Sequence, residues 1–286
     1  MHDDLIEAVL DWLEDNIDKP ITQTDVVRKS GYSQRYFQDI FFEITKISIA
    51  KYILARKLSL SSILLRLTKL SISEVSVIYS FNSQQSFSRA FKRHFKVTPI
   101  VFRNREFWDF KYYLTQHRFL KFKKIQCKPV FFNFNIYADD AVNKSDIFDV
   151  IFPFDFKSKY GVEGLAFKNK NQINLIRGLI CSSNKCLCVS YSYSADEKSK
   201  NKIKVNYIIR YIPRSDFILN EDGARYYMFS FFGDWSEYII FSNVVYTREL
   251  PRLNIRRRAG FDIEIFNSFG VYKNSMCSLH YFIPVF

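Results

Sequence analysis

The chain has 286 residues, 48% of them hydrophobic and 25% charged, which is the composition of a folded protein with one large domain or two ordinary ones. Its apolar runs are shorter than the ~20 residues of a membrane helix, and its N-terminus is acidic where a secretory signal would be basic. We therefore expect a cytoplasmic protein without a membrane partner. The net charge of +13 is concentrated in residues 30–105, where 13 lysines and arginines face three carboxylates. Such a segment suits a polyanion, although it is also compatible with a solvated surface.

The first 45 residues have the pattern of a helix-turn-helix unit that follows one amphipathic helix. Thr22 and Asp25 have the spacing of a capping box for the first helix of the unit. Gly31 is placed to end that helix, because glycine adopts left-handed backbone angles at low cost. Ser33 is expected to cap the next helix. The unit is predicted over residues 22–45.

The same pattern recurs over residues 71–96. Ser71 and Glu74 have the spacing of a second capping box, and a turn follows. Gln84 begins a second recognition helix, which we expect Thr98-Pro99 to terminate. Aromatic residues fall at four-residue spacing in both recognition helices, which is typical of a buried stripe. We assign to the core, and not to base stacking, Phe37, Phe41, Phe87, Phe91 and Phe95.

One long helix is predicted between the two units, from about Ser48 to Leu67. Twenty residues at 1.5 Å each make about 30 Å. Successive major-groove faces on one side of B-DNA are about 34 Å apart. The helix therefore has the length to place both recognition helices on one side of a duplex, so that a single chain binds an asymmetric site.

These segments resemble the AraC/XylS family of bacterial transcription regulators. The resemblance rests on GYS at residues 31–33, YILARKL at 52–58, and FNSQQSFSRAFKR at 81–93. It covers nearly all of residues 1–107 and is strongest for the MarA/SoxS/Rob subgroup, especially Rob, in which the DNA-binding domain also comes first. The resemblance implies an all-α tandem helix-turn-helix domain over residues 1–107. It also implies double-stranded DNA and RNA polymerase as partners.

Glutamine suits the adenine edge, arginine the guanine edge, and lysine or arginine the phosphates. We therefore expect Gln84, Gln85 and Arg89 to recognise bases, and Lys92 and Arg93 to contact mainly phosphates. The full set expected to contact DNA is Ser33, Gln34, Arg35, Gln38, Asp39, Ser83, Gln84, Gln85, Ser86, Arg89, Lys92 and Arg93.

Three positions depart from the subgroup pattern. Asp39 stands where the subgroup has a base-contacting arginine, and a carboxylate there either repels phosphates or accepts a bond from cytosine. Arg35, in place of an aromatic residue, is a candidate for part of the lost contact. Ser80 stands where the wider family has glycine, so we expect a slightly distorted turn.

The C-terminal part has the pattern of an α+β domain. Residues 108–130 form a basic, aromatic connector, and residues 131–286 a second domain. Alternating runs predict an antiparallel sheet, and a helix is predicted over residues 236–246. The predicted strands are 131–137, 187–193, 205–211, 226–232 and 278–284.

The segments 223–229, 253–266 and 279–284 resemble GyrI-like domains, which bind hydrophobic, often cationic small molecules. The resemblance places their ligand-facing glutamate at Glu264. A carboxylate among apolar neighbours is costly to bury unless a cation pairs with it. Two other interpretations stay open, in which Glu264 points outward along its strand or pairs with Arg256–Arg258. Those arginines are themselves a solvated or ion-paired loop or, as an alternative, a second DNA site.

No catalytic set, cofactor or metal site is predicted. The cysteines at 181, 186 and 188 match no common zinc pattern, and we find no nucleophile–base pair or phosphate loop. The sequence thus predicts a regulator that binds DNA as a monomer, and the resemblance implies an activator of stress or drug-resistance genes. Its C-terminal domain senses a hydrophobic small molecule or restrains activity. The alternatives for that domain are a ligand-free protein-interaction or protective module and, third, a GyrI-like hydrolase.

Overall fold

The computed structural model describes residues 2–132, 141–149, 170–181, 185–212, 223–267 and 276–286. The N-terminal part is helical and the C-terminal part is an antiparallel sheet with helices, so the predicted fold class is confirmed. The N-terminal helices are α1 (His2–Glu14), α2 (Gln23–Ser30), α3 (Gln34–Thr45), α4 (Ile49–Leu67), α5 (Ile72–Ile78), α6 (Gln84–Phe95) and α7 (Pro99–Asn104). Within the described ranges, no helix is both long and apolar enough to cross a bilayer.

Local hydrogen bonds fix the ends of the first helix in each helix-turn-helix unit. The Thr22 hydroxyl accepts from the Asp25 amide, and the Asp25 carboxylate accepts from the Thr22 amide at 2.9 Å. Ser71 and Glu74 make the same reciprocal pair, at 3.1 and 2.6 Å. Gly31 ends α2 with φ +73°, in the left-handed region. Both capping boxes and the glycine terminus were predicted, and all three are confirmed.

Of two further predictions about helix ends, one is confirmed in position only and the other is wrong. Ser33 occupies the N-cap position of α3, but its hydroxyl makes no capping bond. Thr98-Pro99 does not terminate the second recognition helix, because that helix already ends at Phe95, where Lys96 takes φ +65°. Thr98 instead caps α7, and Pro99 stands in its first turn, where the missing N–H costs nothing.

The described strands are β1 (Trp108–Asp109), β2 (Gln126–Phe132), β3 (Val142–Asp149), β4 (Cys186–Ala195), β5 (Lys202–Ile212), β6 (Ala224–Asp234), β7 (Arg256–Arg257), β8 (Asp262–Phe266) and β9 (Met276–Pro284). The C-terminal sheet has the strand order β2-β6-β9-β8-β4-β5-β3, with antiparallel neighbours throughout. The strand predicted from residue 131 begins earlier, at Gln126, and its predicted last residues lie outside the described ranges.

Helices pack against one face of this sheet. The helix predicted over 236–246 is α10 (Trp235–Val244), and it continues without a break into a π-helical turn, Val245–Glu249. The remaining helices of this part are α8 (His117–Leu120), α9 (Lys170–Cys181) and α11 (Leu250–Leu253). Buried residues of α1–α7, of the connector and of this sheet face belong to one continuous hydrophobic cluster. The two halves of the chain therefore share a core.

The predicted connector is packed between the two halves. Its β1 pairs with β7 of the C-terminal part, and Phe110 and Tyr113 are buried. The Thr115 hydroxyl donates to the carbonyl of Thr247 in the π-helical turn. Arg248, in the same turn, donates to three connector carbonyls, those of Phe119, Phe122 and Lys123. These bonds hold the connector against the C-terminal part.

A buried ion pair joins α1 to the long helix α4. The Arg56 Nε and Nη2 atoms donate to the two carboxylate oxygens of Glu14, each at 2.7 Å, and the Tyr52 hydroxyl donates to the same carboxylate. Arg56 Nη1 donates to the Leu114 carbonyl of the connector, at 2.6 Å. Burial alone would lower the pKa of Arg56, but the Glu14 charge, the hydrogen bonds to Glu14 and the neighbouring Tyr113 and Tyr52 together outweigh burial and raise that pKa. Arg56 is therefore charged at every relevant pH.

Lys57, the next residue, links α4 to both flanking loops. Its ammonium donates to the carbonyls of Lys19, before the first unit, and of Tyr79, in the turn of the second. Burial lowers the pKa of Lys57. The two carbonyls that accept from its Nζ atom replace part of the water that burial removes. Two adjacent cations thus fix the middle of α4.

Ser80 adopts left-handed backbone angles, with φ +57°, in the turn between α5 and α6. These angles cost a residue with a Cβ about 1 kcal/mol or more relative to glycine. The Ser80 hydroxyl donates to the carbonyl of Asp18 at 2.6 Å, and this bond offsets part of that cost. Serine in place of glycine therefore adds a hydrogen bond between this turn and the loop before α2.

We expect Ser80→Ala to lower the free energy of unfolding by about 1 kcal/mol, because it loses the bond and keeps the Cβ. Ser80→Gly should cost less, since relief of the backbone offsets the lost bond. Urea denaturation of the three proteins measures both effects. An alanine variant as stable as the parent would show that the Asp18 contact contributes nothing.

Candidate nucleic-acid interface and buried carboxylates

The predicted DNA-contacting residues of the first unit lie around the N-terminal half of α3. Ser33, Gln34, Arg35 and Asp39 are exposed, and Gln38 is half-buried. Because Ser33 makes no capping bond, its hydroxyl is available to a partner. The structure therefore brings all five predicted residues to one end and side of the helix.

In the second unit, the predicted residues follow the exposed side of α6. Gln84, Gln85, Arg89, Lys92 and Arg93 are all exposed. The two predicted serines differ from them, because Ser83 and Ser86 form a capping box. The Ser83 hydroxyl accepts from the Ser86 amide at 3.1 Å, and the Ser86 hydroxyl donates to the Ser83 carbonyl at 2.8 Å. These hydroxyls hold the N-terminus of the helix, so their donors and acceptors are largely committed.

The aromatic stripes of both helices are buried, as predicted. On α3, Phe37 and Phe41 have no exposed surface, and their rings lie 6.0 Å apart. On α6, Phe87, Phe91 and Phe95 pack in series, with centroids 5.6 and 4.6 Å apart. The aromatic stripes therefore set the rotation of each helix and present the opposite side to solvent.

The two recognition helices have the same geometry but opposite charge at equivalent positions. When the two helices are aligned by their caps, which are 50 residues apart in the chain, Asp39 of α3 is equivalent to Arg89 of α6. At the neighbouring exposed positions, α3 has Phe42 and Glu43, whereas α6 has Lys92 and Arg93. Phe42 is 56% exposed, although it is a large apolar side chain. The second helix is thus much better suited to a polyanion than the first.

Helix α4 sets the distance between the two units. Its 19 residues give a length of about 28 Å. Three of its polar side chains that sequence analysis did not use, Arg56, Lys57 and Ser59, are buried and bonded to neighbouring segments. The signal that could have identified them is their position on the buried side of an otherwise apolar helix.

Glu264 lies on β8 and has no exposed surface. Tyr191 on β4 and Tyr238 on α10 donate their hydroxyls to its Oε2 atom, at 3.0 and 2.7 Å. Burial first, and then the charge of Glu264, raises the pKa of both tyrosines, so both remain protonated donors. The interpretation that Glu264 points outward into solvent is wrong, because this side of β8 faces the helical layer.

A second buried carboxylate, Asp262, was missed by sequence analysis. It is Asp262, and not Glu264, that pairs with Arg257. Arg257 donates to Asp262 Oδ1 through Nη2 at 2.9 Å and through Nε at 3.2 Å. Tyr246 and Tyr281 donate to Oδ2 at 2.5 and 2.8 Å. The alternation of side chains along β8 puts Asp262 and Glu264 on one face, which is the signal that could have revealed the pair.

The other arginines of residues 256–258 lie against aromatic rings, and the described cysteines of residues 181–188 are buried in the sheet. Arg256 is exposed and lies over the Phe107 ring at 4.9 Å, and the Arg258 guanidinium lies over Tyr226 at 5.2 Å. Cys186 and Cys188 are buried in β4, and the side chain of Cys181 lies outside the described residues. In the part of the chain that the structure describes, no group of three His, Cys, Asp or Glu side chains is arranged to hold a metal ion.

Comparison with known proteins places the N-terminal part among helix-turn-helix regulators. A family model described as "Helix-turn-helix domain" matches residues 26–105. The transposon Tn10 TetD protein of Escherichia coli is 44% identical over 108 residues, which are 38% of this chain and 78% of that protein. The transcriptional regulator Rob of Salmonella typhimurium is 41% identical over 105 residues, which are 37% of this chain but only 36% of Rob.

One relative is similar along the whole chain. The F1 operon positive regulatory protein of Yersinia pestis is 27% identical over 287 aligned residues, covering 98% of this chain and 88% of that protein. The similarity to Rob covers little more than a third of either chain, whereas the similarity to the Yersinia regulator includes the C-terminal sheet. The tandem units, their exposed recognition helices and these relatives agree, and the chain belongs to the AraC/XylS family of helix-turn-helix transcriptional regulators.

Proposed function

We propose that one chain binds one asymmetric duplex site of roughly 20 base pairs and activates transcription of stress or drug-resistance genes through RNA polymerase. The observation that carries the proposal is the pair of exposed recognition helices joined by the fixed helix α4. Its length of about 28 Å is shorter than the ~34 Å between successive major-groove faces, so the DNA bends toward the protein when both helices bind. The whole-chain similarity to a positive regulator of Yersinia pestis supports activation.

Within this complex, the second unit supplies most of the affinity. Gln84, Gln85 and Arg89 recognise bases, and Lys92 and Arg93 contact phosphates. The exposed cations of α6 support this division, since the equivalent positions of α3 hold Asp39 and other residues that release no counterions. The remaining predicted contacts of the first unit, at Ser33, Gln34, Arg35 and Gln38, set its base preference.

The C-terminal part senses a hydrophobic cation at Glu264 in this proposal. Support comes from the GyrI-like sequence pattern and from a carboxylate buried among aromatic side chains, which a cationic guest would stabilise. A guest reaches Glu264 only when the helical layer opens, because Tyr238 on α10 covers it. Opening also displaces the π-helical turn that follows α10.

Contacts of that turn provide a route to the DNA-binding helices. Thr247 and Arg248 bind the connector. The Leu114 amide of the connector in turn donates to the Ser59 hydroxyl of α4 at 2.8 Å. The Leu114 carbonyl accepts from Arg56. A shift of the turn therefore changes contacts of the helix that sets the spacing of the two units.

A second candidate function has its own support. The carboxylate of Glu264 is fully enclosed and already accepts two tyrosine bonds, which favours a C-terminal part that binds no ligand. In that case the C-terminal part is a protein-interaction or protective module that stabilises the connector and α4.

The first test concerns base recognition by α6. Arg89→Ala should weaken binding by about 1–3 kcal/mol and relax the preference at one or two base pairs. Lys92→Ala should weaken binding to all sequences about equally, because phosphates carry no sequence information. Selection of preferred sites from a random duplex library, followed by titration, measures both. An Arg89→Ala protein with unchanged affinity and preference would contradict the assigned orientation of α6.

The second test concerns Asp39. Asp39→Arg should tighten binding to sites of the MarA/SoxS/Rob type and steepen the salt dependence by about one phosphate contact. Asp39→Asn is the matched control, since it removes the repulsion without adding a cation. If Asp39 accepts from a cytosine, Asp39→Arg will instead weaken binding to the protein's own best site. Unchanged binding at both sites would mean that Asp39 faces away from the duplex.

The third test concerns Glu264. Calorimetry of the full chain against a set of lipophilic cations should detect binding that Glu264→Gln abolishes, because the amide keeps the shape and removes the charge. A matched set of lipophilic acids should not bind. Absence of binding by the parent protein would favour the ligand-free module, and turnover of a compound would indicate a hydrolase.

A further inference from the structure

The exposed stripe of α6 continues past the residues considered so far. Gln85, Arg89 and Lys96 are separated by four and seven residues, so they lie along one side of the helix. Lys96 is exposed and lies about 10 Å beyond Arg89 along the axis. Its ammonium donates to the Arg93 carbonyl at 2.8 Å, which keeps the cation at the helix C-terminus.

The connector brings a second lysine to the same place. The Nζ atoms of Lys96 and Lys111 lie 5.9 and 5.6 Å from the centre of the Tyr112 ring. The Tyr112 carbonyl accepts from the ring Nε2 of His94 on α6, at 2.7 Å. Tyr112 is therefore fixed to α6 by its backbone, and two exposed lysines, one from α6 and one from the connector, lie near its ring.

Neighbouring groups leave this pair positively charged. The pKa of His94 is lowered by burial, so His94 adds no charge at neutral pH. Asp109 accepts from the backbone amide of Lys111 at 2.9 Å, and its other oxygen lies 4.0 Å from Arg256 on β7. Two exposed ammonium groups beside one ring make the local potential positive, and a positive surface attracts an anion.

We propose that Lys96 and Lys111 form a binding site for the phosphate backbone of DNA that flanks the base pairs recognised by α6. The proposal rests on the proposed DNA binding by α6 and adds a contact from the connector, outside the two helix-turn-helix units. Continuity with the Gln85–Arg89 stripe selects duplex DNA over a protein partner. The footprint of the second unit is therefore longer than its recognition helix alone would give.

The test uses the full chain and measures duplex affinity against salt concentration. The variants are Lys111→Gln, Lys96→Asn and the double variant, and asparagine is chosen at 96 because it tolerates the left-handed backbone there. One phosphate contact changes the slope of log K against log salt by about 0.9, which is about eightfold in affinity at 0.1 M salt. Each single variant should lose about eightfold, and the double variant about 60-fold.

Lys144→Gln is the matched control, since Lys144 is an exposed lysine on β3, at the far edge of the C-terminal sheet. It should keep the parent's affinity and slope. A duplex shortened on the flank next to α6 should bind the parent and Lys111→Gln equally. Affinity and slope unchanged in Lys111→Gln, or a loss equal to that of Lys144→Gln, would overturn the proposal. Failure of Arg89→Ala to alter binding would instead refute DNA recognition by α6 itself.

Discussion

The guanidinium of Arg56 and the carboxylate of Glu14 form two parallel hydrogen bonds in a place that water does not reach. Removing one partner from such a pair costs about 3–5 kcal/mol, because the other charge is left buried without compensation. The third donor of Arg56 binds the connector, so one side chain connects α1, α4 and the connector. Helix α4 therefore cannot tilt or slide without breaking this contact, and the distance between the two recognition helices depends on it.

Local signals predicted the N-terminal helices well. The capping boxes at Thr22 and Ser71 and the glycine at 31 act through bonds between near neighbours, which spacing alone reveals. The Arg56–Glu14 pair joins residues 42 positions apart, and no pattern within one helix reports its partner. The end of α6 was misplaced because a lysine in left-handed conformation, not the proline, ends it.

The C-terminal part was harder to predict for a related reason. Alternation identified five of the strands, since a strand with one face against helices has a period of two, but it did not identify β3 or β8. Alternation along β8 puts Asp262 and Glu264 on the same face, but no local pattern says that Arg257 pairs with the first and that two tyrosines bind the second. Such assignments follow from strand register, which long-range pairing decides. The exposed Phe42 likewise breaks the apolar-inside pattern and marks α3 as unlike α6.

The central claim is that α4 places both recognition helices of one chain on one side of one duplex. Hydroxyl-radical footprinting of a complex with known stoichiometry tests it most directly. We predict one chain per duplex and two protected regions on the same side of the DNA, centred about one helical turn of ~10 base pairs apart. Protection of a single region by one chain, or two chains on the minimal site, would contradict the account.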